Sequence, residues 1–246
     1  LEEGLALAPE SPIFRTSLGV LLENMDRLDA ALPYLRDAYR RAPRSVAVRR
    51  NLVPALLRSG AAAEARALLE GLLAQFPHDQ LLIAQRATAL RLQGDAEYGR
   101  LYDYARLVRT FALRPPPQYA DIAAFNAAFA RELQPLHRAA RHPLDQSLRG
   151  GSQTERHLPA DNPVFAAFFA MLDAPIREYI AALHDDSHAL DGRRGAQYRI
   201  SGSWSVQLRP GGFHIDHVHP RGWLSSAYYV ALPDVADEDA RAGWIK

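Results

Sequence analysis

Three prolines set the frame of this chain. Pro9, Pro43 and Pro77 stand 34 residues apart, each behind Ala8, Ala42 or Phe76, and the same period links Leu22, Leu56 and Leu90. It also links Asp26, Gly60 and Gly94, then Ala31, Ala65 and Gly99. A period of that length, with a closing proline and a small residue at fixed offsets, predicts repeated helical hairpins. A single hairpin cannot bury its own apolar face, so the units must stack into an array. The spacing predicts helices over 11–24, 28–41, 45–58, 62–75, 79–92 and 96–110. Gly60 and Gly94 suit tight turns between paired helices, and the small residues at 31, 65 and 99 suit close helix crossings. Pro33 is expected in a first turn, where it costs little, whereas Pro54 is expected to kink its helix.

These periods resemble the tetratricopeptide repeat. Stacked repeats of this kind present a concave groove suited to an extended peptide or a partner helix, or they serve only as a brace. Arg49, Arg50, Arg58 and Arg66 either line such a groove for an acidic peptide or form a solvated helix face. Tyr98, Tyr102 and Tyr104 are expected to cap the last repeat. The run Arg114-Pro115-Pro116-Pro117 cannot be helical. We therefore expect a repeat array over 1–112 and a second domain over 113–246.

Composition removes several function classes. A formal charge of +1 argues against broad attraction to nucleic acid or to an anionic membrane, and neither is expected as a partner. There is no cysteine, which excludes thiolate metal sites and disulfides and fits a cytoplasmic location. No apolar run approaches the roughly 20 residues of a membrane span. The basic residues are arginine except for Lys246, which with the many alanines suggests a bacterial coding bias.

In the second domain, Asp121 to His137 has helical periodicity, and Asn162-Pro163 reads as a cap followed by a first-turn proline. A further segment is expected from Pro175. His184-Asp185-Asp186-Ser187-His188 reads as a solvated turn before a metal cluster, and His142 and His157 lie too far off to be called ligands. The chemistry concentrates in Gly211 to Pro220, which packs His214, Asp216, His217 and His219 into six residues. Upstream, Trp204, Val206 and Leu208 alternate with polar residues as in a half-buried strand; downstream, Leu224 to Leu232 reads as a mostly buried strand. Were 213–219 one strand, Phe213, Ile215, His217 and His219 would share the inward face and His214 and Asp216 the other. Two imidazoles one residue apart on one face can reach one metal ion.

Ser203-Trp204-Ser205-Val206, Gly212-Phe213, His217-Val218-His219-Pro220, Gly222-Trp223 and Ser225-Ser226-Ala227-Tyr228-Tyr229-Val230 together resemble a 2-oxoglutarate/Fe(II) oxygenase domain found behind tetratricopeptide repeats in bacterial and phage proteins. Gly150-Gly151-Ser152-Gln153-Thr154 and Ala242-Gly243-Trp244-Ile245-Lys246 resemble further pieces of it, and through this likeness Gln153 and Thr154 are expected near the active site. The resemblance implies an α+β chain: the helical array, then part of a double-stranded β-helix (jelly roll) with flanking helices. It implies Fe(II) and 2-oxoglutarate as cofactors, His217 and His219 as metal ligands, and Trp204, Trp223, Tyr228 and Tyr229 around the cosubstrate. It also implies hydroxylation of a peptide or protein side chain. His219 stands where such oxygenases place a carboxylate. The distal histidine and the basic 2-oxoglutarate anchor belong to later strands, so the chain reads as an internal fragment. A cupin fits less well, since Pro220 to Ser226 holds no glutamate. The alternative outside enzymes is a repeat-based interaction scaffold with an incomplete β-domain. Serine and cysteine hydrolases have no motif here.

Overall fold

A computed structural model of the chain describes residues 2–137, 147–154, 157–184 and 187–232. The chain divides into two compact units. The first holds Leu1–Val108 with Asp186–Gly192 and Val218–Trp223; the second holds Arg109–Asp185, Arg193–His217 and Leu224–Lys246.

The first unit is helical. A short α1 (Glu2–Leu7) leads into α2 (Pro12–Asn24), α3 (Leu28–Arg41), α4 (Val46–Arg58), α5 (Ala62–Leu73) and α6 (Gln80–Leu92). Ser11, Ser45 and Asp79 accept the backbone N–H three residues on and so start α2, α4 and α6, the first helix of each pair. Ala31 and Ala65 are fully buried where paired helices cross, as their 34-residue spacing leads one to expect; Gly99 is exposed and meets nothing. Leu52, Leu56, Leu69 and Leu72 are fully buried at the centre of one core. Pro33 is the sixth residue of α3, past the first turn, and α4 runs through Pro54 unbroken. The helix expected over 96–110 is instead α7 (Glu97–Leu101) and α8 (Tyr104–Leu107). Asp103 breaks it: its carboxylate accepts from the Arg106 N–H and starts a new helix.

Of the arginines considered for a groove, Arg50, Arg58 and Arg66 are used within the array. Arg50 pairs with Asp79 at 2.8 Å, Arg58 with Asp26 at 2.5 Å and Arg66 with Asp95 at 2.6 Å, each joining one repeat to the next. At the end of the unit, the fully buried Asp191 accepts from Arg106 at 2.6 Å, while Trp223 Nε1 donates to the Leu190 carbonyl at 3.0 Å. Among the tyrosines, Tyr98 stacks on Tyr102 at 5.7 Å and shares a 2.8 Å hydrogen bond with Tyr104, which pushes the Tyr104 hydroxyl up to about 12.

In the second unit, α9 (Ile122–Leu133) is capped by Asp121 and ends in a 3₁₀ turn at Gln134–Leu136. The long α10 (Pro163–Ala181) continues through Pro175 as one helix rather than two segments. Asn162 accepts at its start and donates to Glu132 at 2.7 Å, fixing α10 to α9. Between the helices lies an aromatic core in which Phe129 touches Phe165, Phe168 and Tyr228 at 4.7–6.4 Å between ring centres. β1 (Leu148–Gln153) pairs antiparallel with β2 (Val206–His214), and these two strands form the only sheet among the described residues. A jelly roll is therefore not seen in them. The strand expected over 224–232 is absent from 224–232 as described, where Tyr229 and Leu232 are 46% and 66% exposed. Extended backbone needs a hydrogen-bonding neighbour to become sheet, and no described strand lies alongside.

Candidate functional site

The histidine-rich segment follows directly from where β2 stops. Strand pairing ends at His214, with one further bond from the Ile215 N–H to the Ser147 carbonyl at 3.0 Å. Beyond it the chain bends at Asp216 and turns at Pro220-Arg221, closed by the Gly222 N–H on the His219 carbonyl at 3.0 Å. The strand parity expected for 213–219 therefore does not apply past His214. Phe213 (55% exposed) and Ile215 (43%) are not turned into a core, and His217 is exposed, not enclosed. His219 is half-buried.

His214 and His217 lie in the second unit with ring centres 5.6 Å apart, and the chain enters the first unit at Val218, so His219 belongs there. Burial, and then the neighbouring His217, hold the His214 imidazole below its ordinary range. His214 Nδ1 shares a 2.9 Å hydrogen bond with the Ser147 hydroxyl. His217 Nδ1 lies 2.8 Å from the Ile215 carbonyl, which can only accept. The proton of the neutral ring is therefore on Nδ1, and Nε2 carries the lone pair, the tautomer used by many metal-binding imidazoles. That donor chemistry suits a first-row transition ion. The described residues nonetheless contain no group of three histidine or carboxylate side chains around one point, short of the usual complement for iron.

Of the aromatic residues expected around a cosubstrate, Trp223 falls in the first unit and Trp204, Tyr228 and Tyr229 in the second. Tyr228 packs in the α9/α10 aromatic core and donates to Asn126. Trp223 is held by the Leu190 carbonyl in the first unit, Tyr229 is exposed, and Trp204 is half-buried beside β2. His184 is exposed with Nδ1 at 2.9 Å from the Ala182 carbonyl, while His188 lies 3.4 Å from Asp191 in the first unit. Asp185, Asp186 and His142 lie outside the described residues, and His157 is exposed.

A second polar centre, of which the sequence reading had singled out only Thr154, sits on the sheet. Ser152 opposes Gln207 in the ladder, and Thr154 and Ser205 continue it, the Thr154 N–H donating to the Ser205 carbonyl at 2.9 Å. These four residues share one face. The hydroxyl row is covered at Ser152 (8% exposed) and Thr154 (5%), while along β2 Trp204 and Val206 are half-buried and Gln207 and Leu208 are both exposed. What covers the row is His137, just past α9. Its Nδ1 lies 2.9 Å from Ser152 Oγ and its Nε2 3.0 Å from Ser205 Oγ, so one ring nitrogen donates and the other accepts. Burial holds this imidazole below its ordinary range. His137, Ser152 and residues Gln207 to Pro210 line a cavity of about 300 Å³. The readable signal was the run Ser203-x-Ser205-x-Gln207, whose polar phase is as regular as the apolar one.

Residues 202–244 match the family described as "Putative 2OG-Fe(II) oxygenase", and residues 24–89 match a tetratricopeptide repeat family. The chain thus has the arrangement of tetratricopeptide repeats followed by a segment of oxygenase type. No curated protein matches it. Among solved structures it is similar, at 20% identity and a TM-score of 0.34, to a chain of "Structure of Naa15/Naa10 bound to HypK-THB". That likeness covers 74% of this chain and 27% of the other.

Proposed function

We propose that the protein is a 2-oxoglutarate- and Fe(II)-dependent dioxygenase that hydroxylates a peptide or protein side chain, with the repeats binding a partner or the substrate. The observation that carries this reading is the family match over 202–244, which brackets the paired histidines. His217 and His219 are the proposed metal ligands, on their spacing and on the Nδ1–H tautomer of His217. Trp204, Trp223, Tyr228 and Tyr229 are assigned to the cosubstrate by resemblance alone. Fe(II) with 2-oxoglutarate supplies oxygen activation when bound. Among the described residues three imidazole or carboxylate donors are not assembled around one point. The same observation favours the second reading, a repeat-based interaction scaffold whose β-domain does not turn over. A chain without cysteine suits the reducing cytoplasm.

Titration of the chain with Mn(II), followed by electron paramagnetic resonance, tests the pair. His217→Ala with His219→Ala is expected to weaken binding by about tenfold or more, and Asp216→Ala to leave it within about twofold. The opposite pattern transfers the site to His214 and Asp216. Fe(II)-dependent conversion of 2-oxoglutarate to succinate then separates the enzyme from the scaffold, which would produce none.

A further inference from the structure

The hydroxyl row holds an arrangement that the metal reading does not use. His137 stands between two serines, with Nδ1 2.9 Å from Ser152 Oγ and Nε2 3.0 Å from Ser205 Oγ. A hydroxyl within reach of an imidazole that a third group orients is the geometry of an activated nucleophile. No nucleophile-elbow motif announces it, because its members come from three separate stretches of the chain. The sheet sets their register. Ser152 is paired with Gln207 across the ladder, and Ser205 lies two residues before Gln207, so the three side chains share a face. Gly151 lets the strands approach this closely, since a Cβ there would lie 2.5 Å from the Gln207 carbonyl oxygen. Ser152, His137 and Gln207 all belong to the lining of the cavity of about 300 Å³.

We propose that Ser152 is the nucleophile of an esterase centre, with His137 as its general base, Gln207 as the oxyanion donor and Ser205 as the residue that positions the imidazole. With its proton on Nε2, the ring donates to Ser205, and Nδ1 accepts from the Ser152 hydroxyl. Ser152 Oγ adds to the acyl carbon of a bound ester while its proton passes to Nδ1. The charge that develops on the acyl oxygen is met by the amide N–H of Gln207, the cross-strand neighbour of Ser152. The bond from the acyl carbon to the leaving alcohol oxygen breaks, and the alcohol takes the proton from Nδ1. Water, giving its proton to the same nitrogen, then releases the acid and restores the serine. The cavity volume sits at the small end of the range for small-molecule sites, about 300–1,000 Å³, which selects a short acyl group. Ser205 is uncharged and steadies an imidazolium less than the carboxylate of a Ser-His-Asp triad would, which favours esters over amides.

The test uses the whole chain with a chelator present, which keeps it separate from the metal. A fluorophosphonate and p-nitrophenyl acetate are the probes. Peptide mass spectrometry is expected to place the phosphonyl group on Ser152, and the labelled protein to lose its hydrolysis of the ester. His137→Gln should slow labelling by about 10²- to 10⁴-fold. The two hydrogen-bond partners of the ring are uncharged, and Arg209 is the one charged residue of the cavity lining, so the pH profile reads the ring itself. Burial holds this imidazole below its ordinary range, and the labelling rate should rise with pH through a midpoint below about 6.5. Ser205→Ala removes the acceptor at Nε2 and should lower that midpoint further while slowing labelling about tenfold; a serine with a merely structural role would leave the midpoint in place. A wild-type chain unlabelled at Ser152, or labelled there at a rate independent of pH, would overturn the proposal without reliance on any variant. Labelling at an unchanged rate in His137→Gln would overturn it as well.

Discussion

The turn between paired helices falls on equivalent residues of three repeats, and all three adopt the left-handed backbone: Asp26 at φ +58°, Gly60 at +79° and Gly94 at +65°. For an ordinary side chain that conformation costs about 1–2 kcal/mol. Asp26 tolerates it as short polar residues do, and its carboxylate is also tied to Arg58. Gly60 isolates the backbone effect, because a Cβ added there meets nothing within 4 Å. Gly60→Ala is therefore expected to lower stability by about 1–2 kcal/mol in urea unfolding, with no change in m-value. A substitution without effect would mean that this turn relaxes away from the left-handed region.

At the scale of elements, the five helices α2 to α6 were legible because their apolar positions and the turns between them recur at a fixed spacing. The fate of 96–110 was not, since the carboxylate of Asp103 decides it against an otherwise helical pattern. The sheet was legible in its alternation, but the covering of Ser152 and Thr154 was not. Period two is symmetric, so only the neighbour laid against a strand says which face is covered. That neighbour is His137, and it turns the hydroxyls of Ser152 and Ser205 inward. The histidine segment beyond His214 was read as strand because it alternates, but alternation does not supply the hydrogen-bonding partner a strand requires. His137 joins the end of α9 to both strands, and burial keeps its imidazole neutral below the ordinary histidine range. The unfolded chain binds that proton as pH falls below about 6.5, before the folded chain does. The stability contribution is therefore present above the unfolded value and lost as pH falls through the depressed folded one. Urea unfolding of the second unit is expected to weaken between pH 7.5 and 5.5, and His137→Gln to flatten that slope. An unchanged slope in the variant would assign the dependence elsewhere.

At the scale of the molecule, two apolar cores are made from separate sets of residues. One gathers Leu52, Leu56, Leu69 and Leu72 from the repeats; the other gathers Phe125, Phe129, Phe165 and Phe168 from α9 and α10. Their connectivity is not a single cut, because Asp186–Gly192 and Val218–Trp223 return to the first unit. The fully buried Asp191, held by Arg106, anchors the first of these returns. Cooperativity follows shared burial more than sequence order, so each core should melt as its own unit. Leu56→Ala removes a fully buried side chain from the first core and should cost about 2–5 kcal/mol there. Phe129→Ala, from a ring 2% exposed, should cost about 3–5 kcal/mol in the second. Scanning calorimetry of the whole chain is expected to resolve two transitions, with Leu56→Ala lowering one and Phe129→Ala the other. If both variants moved one shared transition equally, the returning segments would have fused the two cores into one cooperative body. The repeats could then not unfold without the oxygenase-type segment.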